Sequence, residues 1–149
     1  MNQEEEIKKI ISEFFEKMGL KIEFESIEKK DSVFFINLKS KENEILLGKD
    51  GETLNKIQKI LNAIIKRKIN DQIFLELDIS GYKKRKTEYL EELAKTLADE
   101  VILTKKEKIL PPMSAKERRI IHLILSQRKD VKTESFGQEP ERRVVIKPL

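Results

Sequence analysis

Apolar residues recur along this chain at two different spacings, which predict an alternation of helices and strands. Apolar residues recur at helical spacing from Ile7 to Met18. Gly19 comes next, and glycine often follows the last turn of a helix. The run from Val33 to Leu38 is apolar on both faces, as in an interior strand. Up to residue 81 the predicted elements are a helix over 7–18, strands over 21–27 and 32–38, a helical turn over 43–47, a helix over 52–68 and a strand over 73–79.

The remaining residues predict a long helix and a smaller unit. The long helix begins near Tyr82, and Pro111 and Pro112 cannot continue a helix, so we place a domain boundary there. Its packed stripe is predicted to be Leu90, Leu93, Leu97 and Val101.

Ser114 and Glu117 have the spacing of a capping box and predict a helix over 115–128. A β-hairpin of strands 131–136 and 142–147 follows. The fold class is therefore α+β, and its predicted parts are a domain over 1–81, a linking helix over 82–110 and a domain over 111–149.

Composition excludes several classes of site. The sequence has no cysteine, which rules out disulfides and thiolate metal sites and fits a reducing compartment. Its single histidine, His122, argues against a histidine metal centre or a Ser-His-Asp triad. We expect no enzyme activity, no metal and no cofactor.

Residues 1–6 are acidic, unlike a signal peptide, and no apolar run approaches the ~20 residues of a membrane span, so we expect a cytoplasmic protein without membrane insertion.

Positive charge is concentrated towards the C-terminus. The net charge is +4; residues 1–110 hold 22 Lys/Arg and 22 Asp/Glu, whereas residues 111–149 hold 9 and 5. Residues 1–28 are acidic, with 8 Glu and 4 Lys. A polyanion is therefore expected to be drawn to the middle and C-terminal parts and not to the first helix.

The segment Gly48-Lys49-Asp50-Gly51 predicts a backbone clamp for single-stranded nucleic acid. Two glycines flank two polar residues between helical segments, so the main chain can approach a sugar-phosphate strand without a Cβ atom in the way. Asp50 limits the charge, so contact is expected mainly from backbone amides and Lys49. Glycines that serve turn geometry alone are the alternative. On the next helix, cations including Lys56 lie opposite the apolar arc.

A second set of candidate contacts lies on the helix over 115–128 and on the last strand. Arg118 and His122 are four residues apart and are expected to be neighbours on the exposed side of that helix. A guanidinium can hold a phosphate and stack on a base, and a neutral imidazole can stack or donate one hydrogen bond. Arginines that merely solubilise the helix are the alternative. The candidates are Arg118, Arg119, His122, Arg142 and Arg143.

Two further groups remain open to interpretation. The basic run 83–86 at the start of the long helix is either a solvated face or a phosphate-contacting patch. Among the aromatic residues, Phe34, Phe35 and Phe74 are expected in the core, and Tyr82, Tyr89 and Phe136 are those left for the surface.

These motifs carry a family resemblance. The glycine loop resembles that of a KH domain, and the element order is similar to the type-II arrangement, a three-stranded sheet packed on helices. Residues 113–147, with the runs RRIIH (118–122), TES (133–135) and EPERRVVIKP (139–148), resemble the small α/β R-three-H domain. A KH domain followed by an R-three-H domain is the arrangement of the bacterial Jag family, also called KhpB, the SpoIIIJ-associated RNA-binding proteins.

The resemblance implies RNA binding in the bacterial cytoplasm, in post-transcriptional regulation connected with cell division, envelope growth or sporulation. It implies that residues 48–51 hold the strand backbone and that Arg118 and His122 form a second contact. A small KH-domain protein or a second copy is the implied protein partner, and a membrane-protein insertase is encoded nearby in many members. The N-terminal domain of many members is lacking, so a role that depends on it is not expected.

The leading hypothesis is a non-catalytic protein that binds single-stranded RNA at two linked sites, with single-stranded DNA left open as a ligand. The alternative is a protein-interaction module in which strand edges or the helix over 90–101 dock a partner, such as a small KH protein or an insertase-associated factor, and nucleic acid is incidental.

Overall fold

The structure is a computed structural model that describes residues 2–149. The chain forms two compact units, one ending at Lys83 and the other beginning at Lys84. No helix among the described residues combines the length and the apolar character that crossing a membrane requires.

The first unit has the predicted order helix, strand, strand, helix, helix, strand. Strand β2 is central, antiparallel to β1 and parallel to β3. A parallel neighbour requires a crossover connection, which two helices and the glycine loop provide. The elements are α1 (Gln3–Lys17), β1 (Glu23–Lys30), β2 (Val33–Lys39), α2 (Asn43–Leu47), a 3₁₀ turn (Lys49–Gly51), α3 (Glu52–Lys68) and β3 (Phe74–Ile79).

One face of the first sheet packs on the helices, and the other faces solvent. Phe34 is buried, but Phe35 and Phe74 are about two-fifths exposed, so the prediction that they lie in the core is wrong. Successive side chains of a strand point to opposite faces, and only one face of this sheet is covered. The buried core includes Ile7, Ile11, Phe15, Ile36, Leu38, Leu46, Leu54, Leu61, Ile65, Leu75, Leu77 and Ile79.

Side chains of α3 close the outer edge of β3. The amide of the buried Asn62 accepts a hydrogen bond from Leu75 N at 2.7 Å and donates one to Leu75 O at 2.9 Å. Gln58 Oε1 accepts from Leu77 N at 2.8 Å. These bonds take the place of a neighbouring strand for the N–H and C=O of Leu75 and the N–H of Leu77.

The second unit is built on a three-stranded antiparallel sheet in the order β4-β6-β5. Ser114 and Glu117 form the predicted capping box. The helix they start ends at residue 125, before the predicted end at 128, and β4 was not predicted because two residues in a lysine-rich segment carry no strand pattern. The elements are α4 (Tyr82–Thr104), β4 (Lys108–Ile109), α5 (Ala115–Leu125), β5 (Val131–Phe136) and β6 (Arg143–Pro148).

Helix α4 contributes directly to the core of the second unit, so most of the segment predicted as a linking helix belongs to this unit. Its buried stripe includes Ala94 and Ala98, whereas Leu93 and Leu97, which were predicted there, are only partly buried. The core consists of Leu90, Ala94, Ala98, Val101, Leu110, Ile121, Leu125, Val131, Val144 and Ile146.

We predict that Asn62→Ala lowers the free energy of unfolding by about 1–3 kcal/mol, because the backbone N–H and C=O of Leu75 lose their buried partner. The matched control is Asn55→Ala at an exposed position of the same helix, expected to change stability by less than about 0.5 kcal/mol. Urea denaturation measures both; equal losses would contradict the closing role of Asn62.

Candidate nucleic-acid interface

The glycine loop turns the chain sharply between α2 and α3. Gly48 has φ 68° and ψ −170°, a combination available almost only to glycine, and Asp50 and Gly51 follow with φ 53° and 78°. Lys49 and Asp50 are exposed, so the outer side of the bend is open to solvent. The bend is therefore accessible to a ligand.

Contacts inside the fold also require both glycines. A Cβ atom on Gly48 would clash with Thr53 Oγ1, and one on Gly51 would lie 3.0 Å from a ring carbon of Tyr82. Tyr82, which was expected at the surface, is half-buried over Gly51. The fold thus accounts for the glycines without a ligand.

The first turn of α3 opens onto this loop. Its N-cap is Gly51, and no side chain caps the helix, although the N–H of Glu52 donates to Lys49 O. The first N–H groups of a helix have no partner within it, and the helix dipole makes this end attractive to anions. Lys49 and Lys56 add exposed cations, whereas Asp50 and Glu52 place carboxylates nearby. A phosphate placed here would be attracted by the amides and lysines and repelled by those two carboxylates.

The basic run 83–86 is partly paired within the protein. Lys83 Nζ lies 2.9 Å from Glu76 Oε1, and Lys86 Nζ lies 3.5 Å from Glu117 Oε2. These carboxylates offset the repulsion between cations and a helix N-terminus. The run therefore needs no phosphate ligand to explain it.

Arg118 is buried, with only 7% of its surface exposed. Its Nη1 donates to Met113 O at 2.6 Å, and its Nη2 donates to Glu139 Oε1 at 2.8 Å. The prediction that Arg118 lies on the exposed side of α5 is wrong: at 100° per residue it falls beside Leu125 on the arc that packs inward. Arg118 therefore holds the segments before α5 and after β5 in place.

His122 is hydrogen-bonded at both ring nitrogens. Its Nδ1 lies 2.6 Å from Thr133 Oγ1, and its Nε2 lies 2.7 Å from Ser135 Oγ. Hydroxyl groups donate and accept, so they satisfy either neutral tautomer. Burial, followed by the positive charges of Arg118 and Arg142, lowers the pKa of His122 below 6.5. At neutral pH His122 is an uncharged group that joins α5 to β5.

The other three arginines differ in their freedom to meet a ligand. Arg142 Nη1 donates to Gly137 O at 2.7 Å. Arg143 Nε donates to Glu141 O at 3.2 Å, and its Nη2 lies 3.4 Å from Glu141 Oε2, although the side chain remains partly exposed. Arg119 is exposed and makes no hydrogen bond or ion pair with any residue in 2–149. Arg119 and Arg143 are thus the candidates best placed for direct contact.

The sequence assigned no role to Thr133, Ser135 and Glu139, the side chains that bond to His122 and Arg118. Thr133 and Ser135 lie two residues apart on a strand, a spacing that puts them on one face and could have paired them with His122. Glu139 lies in a loop whose path the sequence does not specify, so its pairing with Arg118 carried no signal.

Comparison with known proteins places these features in a family. The family model of the R-three-H domain matches residues 88–148. RNA-binding protein KhpB of Clostridium symbiosum is 40% identical over 129 residues, which are 87% of this chain and 57% of that protein. RNA-binding protein KhpB of Bacillus subtilis (strain 168) is 36% identical over 104 residues, 68% of this chain and 50% of that protein.

This is an α+β protein of two compact units. The first unit contains the glycine loop, and the second contains the segment that matches the R-three-H domain. The chain belongs to the bacterial KhpB family, also called Jag. It spans about half the length of these two curated relatives, 57% of one and 50% of the other.

We predict that Gly48→Ala lowers the free energy of unfolding by roughly 2–4 kcal/mol, because the new Cβ meets Thr53 and the backbone is strained. Gly19→Ala is the matched control: φ is +75° there, but nothing lies within 4 Å of the new Cβ, so roughly 1 kcal/mol is expected. Thermal or urea unfolding of both variants makes the comparison. Equal destabilisation would show that Thr53 does not constrain the loop.

We predict that an NMR titration of His122, the single histidine, gives a pKa below 6.5 in the folded protein. The unfolded chain then takes up this proton at a higher pH than the folded one, so stability falls as the pH drops below about 6.5 and is unaffected by this group above it. Arg142→Gln should raise the pKa by removing a nearby positive charge. A folded pKa at or above 6.5 would contradict the enclosed position of the ring.

Proposed function

We propose that this protein binds single-stranded RNA and is not an enzyme. The observation that carries the proposal is the bend of residues 48–51, where Lys49 and Asp50 are exposed at an N-terminus of α3 that no side chain caps. A flexible strand can place a phosphate against these amides, whereas the rigid backbone of a duplex limits such an approach. The name of the matched relatives, RNA-binding protein, agrees with this ligand.

The proposed contacts are the candidate residues whose side chains are exposed or partly exposed. In the first unit, Lys49 and Lys56 supply charge beside the loop amides of residues 48–51. In the second unit, Arg119 and Arg143 contact RNA directly. The remaining candidates, Arg118, His122 and Arg142, position the hairpin through their internal hydrogen bonds.

Neither set of contacts has to bind tightly alone. Two weak sites on one chain can raise the overall affinity ~100-fold or more when one strand engages both. Because the contacts are largely electrostatic, affinity should fall with salt, with a slope of ~0.7 per neutralised phosphate for a single strand. Single-stranded DNA offers the same phosphates and is a second ligand to test.

The setting that we propose is post-transcriptional regulation in the bacterial cytoplasm, linked to cell division or envelope growth. The absence of cysteine agrees with a reducing compartment. A small KH-domain protein or a second copy of this chain is the proposed protein partner, as the family resemblance implies.

A protein-docking role is a second candidate for the first unit. The solvent-facing side of its sheet exposes Phe35 and Phe74 next to the carboxylates of Glu28 and Glu76. Apolar surface rimmed by charge is typical of protein interfaces. A docking role for this surface is compatible with RNA binding elsewhere on the chain.

We predict that Lys49→Ala and Arg119→Ala each weaken binding about 2- to 5-fold at moderate salt, because each removes an exposed cation from a phosphate contact. Each should also reduce the salt slope by ~0.7. Anisotropy of a fluorescein-labelled single-stranded RNA of about 15 nucleotides measures both effects. The control is Lys17→Ala, an exposed lysine at the end of α1 in the acidic N-terminal segment, which should bind like the wild type.

The same strand annealed to its complement should bind less tightly than the single strand. Unchanged affinity in the double variant Lys49→Ala/Arg119→Ala would overturn the assigned contacts. No binding of the single strand by wild-type protein at low salt would overturn the proposed function.

A further inference from the structure

Three phenylalanines keep large exposed surfaces although each lies in a strand. Phe35 and Phe74 in the first sheet are 43% and 40% exposed, and Phe136 at the end of β5 is 43% exposed. An exposed aromatic ring is a surface on which an unpaired base can stack. Since the base is attached to a polyanion, the charges around each ring decide which of them is suitable.

The exposed rings of the first sheet lie among carboxylates. Phe35 is paired in register with Glu28 on one side and Glu76 on the other. Residues paired directly across strands project on the same face, with Cβ atoms ~5 Å apart. Phe74 lies on this face two residues from Glu76 in β3. A phosphate that followed a base onto this surface would meet the carboxylate of Glu28, and that of Glu76, which is paired with Lys83.

Phe136 has a cation as its cross-strand neighbour. It is paired in register with Arg143, so the ring and the guanidinium project on the same face of the second sheet. Glu141 orients that guanidinium through its backbone oxygen at 3.2 Å and its carboxylate at 3.4 Å, and Arg143 remains partly exposed. A ring beside an oriented guanidinium matches a base and its adjoining phosphate.

The charges on the wider face balance. Lys132 and Lys147 lie on it with Arg143, and the nearby carboxylates are Glu107, Glu134 and Glu141, which gives three cations and three anions. Arg142 adds a cation at the hairpin end that is bonded to carbonyl groups and not to a carboxylate.

Arg142 also fixes the backbone on both sides of Phe136. Its Nη1 lies 2.7 Å from Gly137 O and its Nη2 lies 3.5 Å from Ser135 O, the carbonyl groups of the two flanking residues. A ring on a backbone held in this way loses little conformational freedom when a base stacks on it.

We propose that Phe136 is a stacking platform for one base of single-stranded RNA, with Arg143 beside it as the phosphate contact and Arg142 as a positioning residue. The proposal rests on the RNA-binding function proposed above and locates a base contact within the second unit. The contact with Phe136 requires a base, whereas the other proposed contacts are to the sugar-phosphate backbone.

Phe136→Trp provides a direct test, because the chain has no tryptophan and the new residue is a single fluorescent reporter. We expect an unlabelled single-stranded RNA of about 15 nucleotides to quench its emission in a saturable way. Phe35→Trp is the matched control, equally exposed but flanked by carboxylates, and its emission should not change.

Phe136→Ala should lower affinity for the same RNA roughly 5- to 150-fold, the range found when alanine replaces a base-stacking aromatic residue. Phe136→Tyr should retain the affinity. An oligomer of equal length with abasic sites throughout should bind wild type and Phe136→Ala equally, and circular dichroism verifies that each variant is folded.

The outcomes separate this proposal from the function on which it rests. If wild type binds RNA while Phe136→Ala binds it equally well and Phe136→Trp is not quenched, the stacking platform is overturned and RNA binding stands. If wild type does not bind RNA at low salt, both proposals are overturned.

Discussion

The hydrogen bonds of Arg118, His122 and Arg142 are the constraint on which the second unit depends. A buried guanidinium is tolerated only when its N–H groups and charge are satisfied, and Arg118 meets this condition with a backbone carbonyl and the carboxylate of Glu139. His122 joins α5 to the hydroxyl groups of β5, and Arg142 holds the hairpin loop. Arg118 and His122, the Arg and His of the R-three-H motif, therefore stabilise the fold through internal hydrogen bonds. The more exposed Arg119 and Arg143 are the groups that a ligand would meet.

The glycine loop of the first unit combines fold and proposed function in a similar way. Thr53, Tyr82 and positive φ angles together explain why residues 48 and 51 are glycines. The same geometry leaves α3 without a side-chain cap beside the exposed residues Lys49 and Asp50. In both units a tightly constrained backbone presents a few accessible donors, which limits the ordering cost of binding a flexible strand.

The sequence predicted the order of the main elements because their apolar spacing is regular and their ends carry glycine, proline or a capping box. It missed β4, whose two residues become a strand only by pairing with Val145 and Ile146. It placed Arg118 on the wrong side of α5, because Ile120 and Ile124, which are only partly buried, suggest a buried arc centred away from Leu125, beside which Arg118 lies. Phe35 and Phe74 were assigned to the core because an apolar residue in a strand does not reveal whether its face is covered.

Chemical-shift mapping by NMR during titration with single-stranded RNA tests the central claim most directly. The account predicts that backbone amide signals change at residues 48–53 and near Arg119, Phe136 and Arg143. It also predicts that signals around Phe35, where carboxylates flank the ring, remain unchanged. Changes confined to that acidic face, or no change at low salt and excess RNA, would contradict the account.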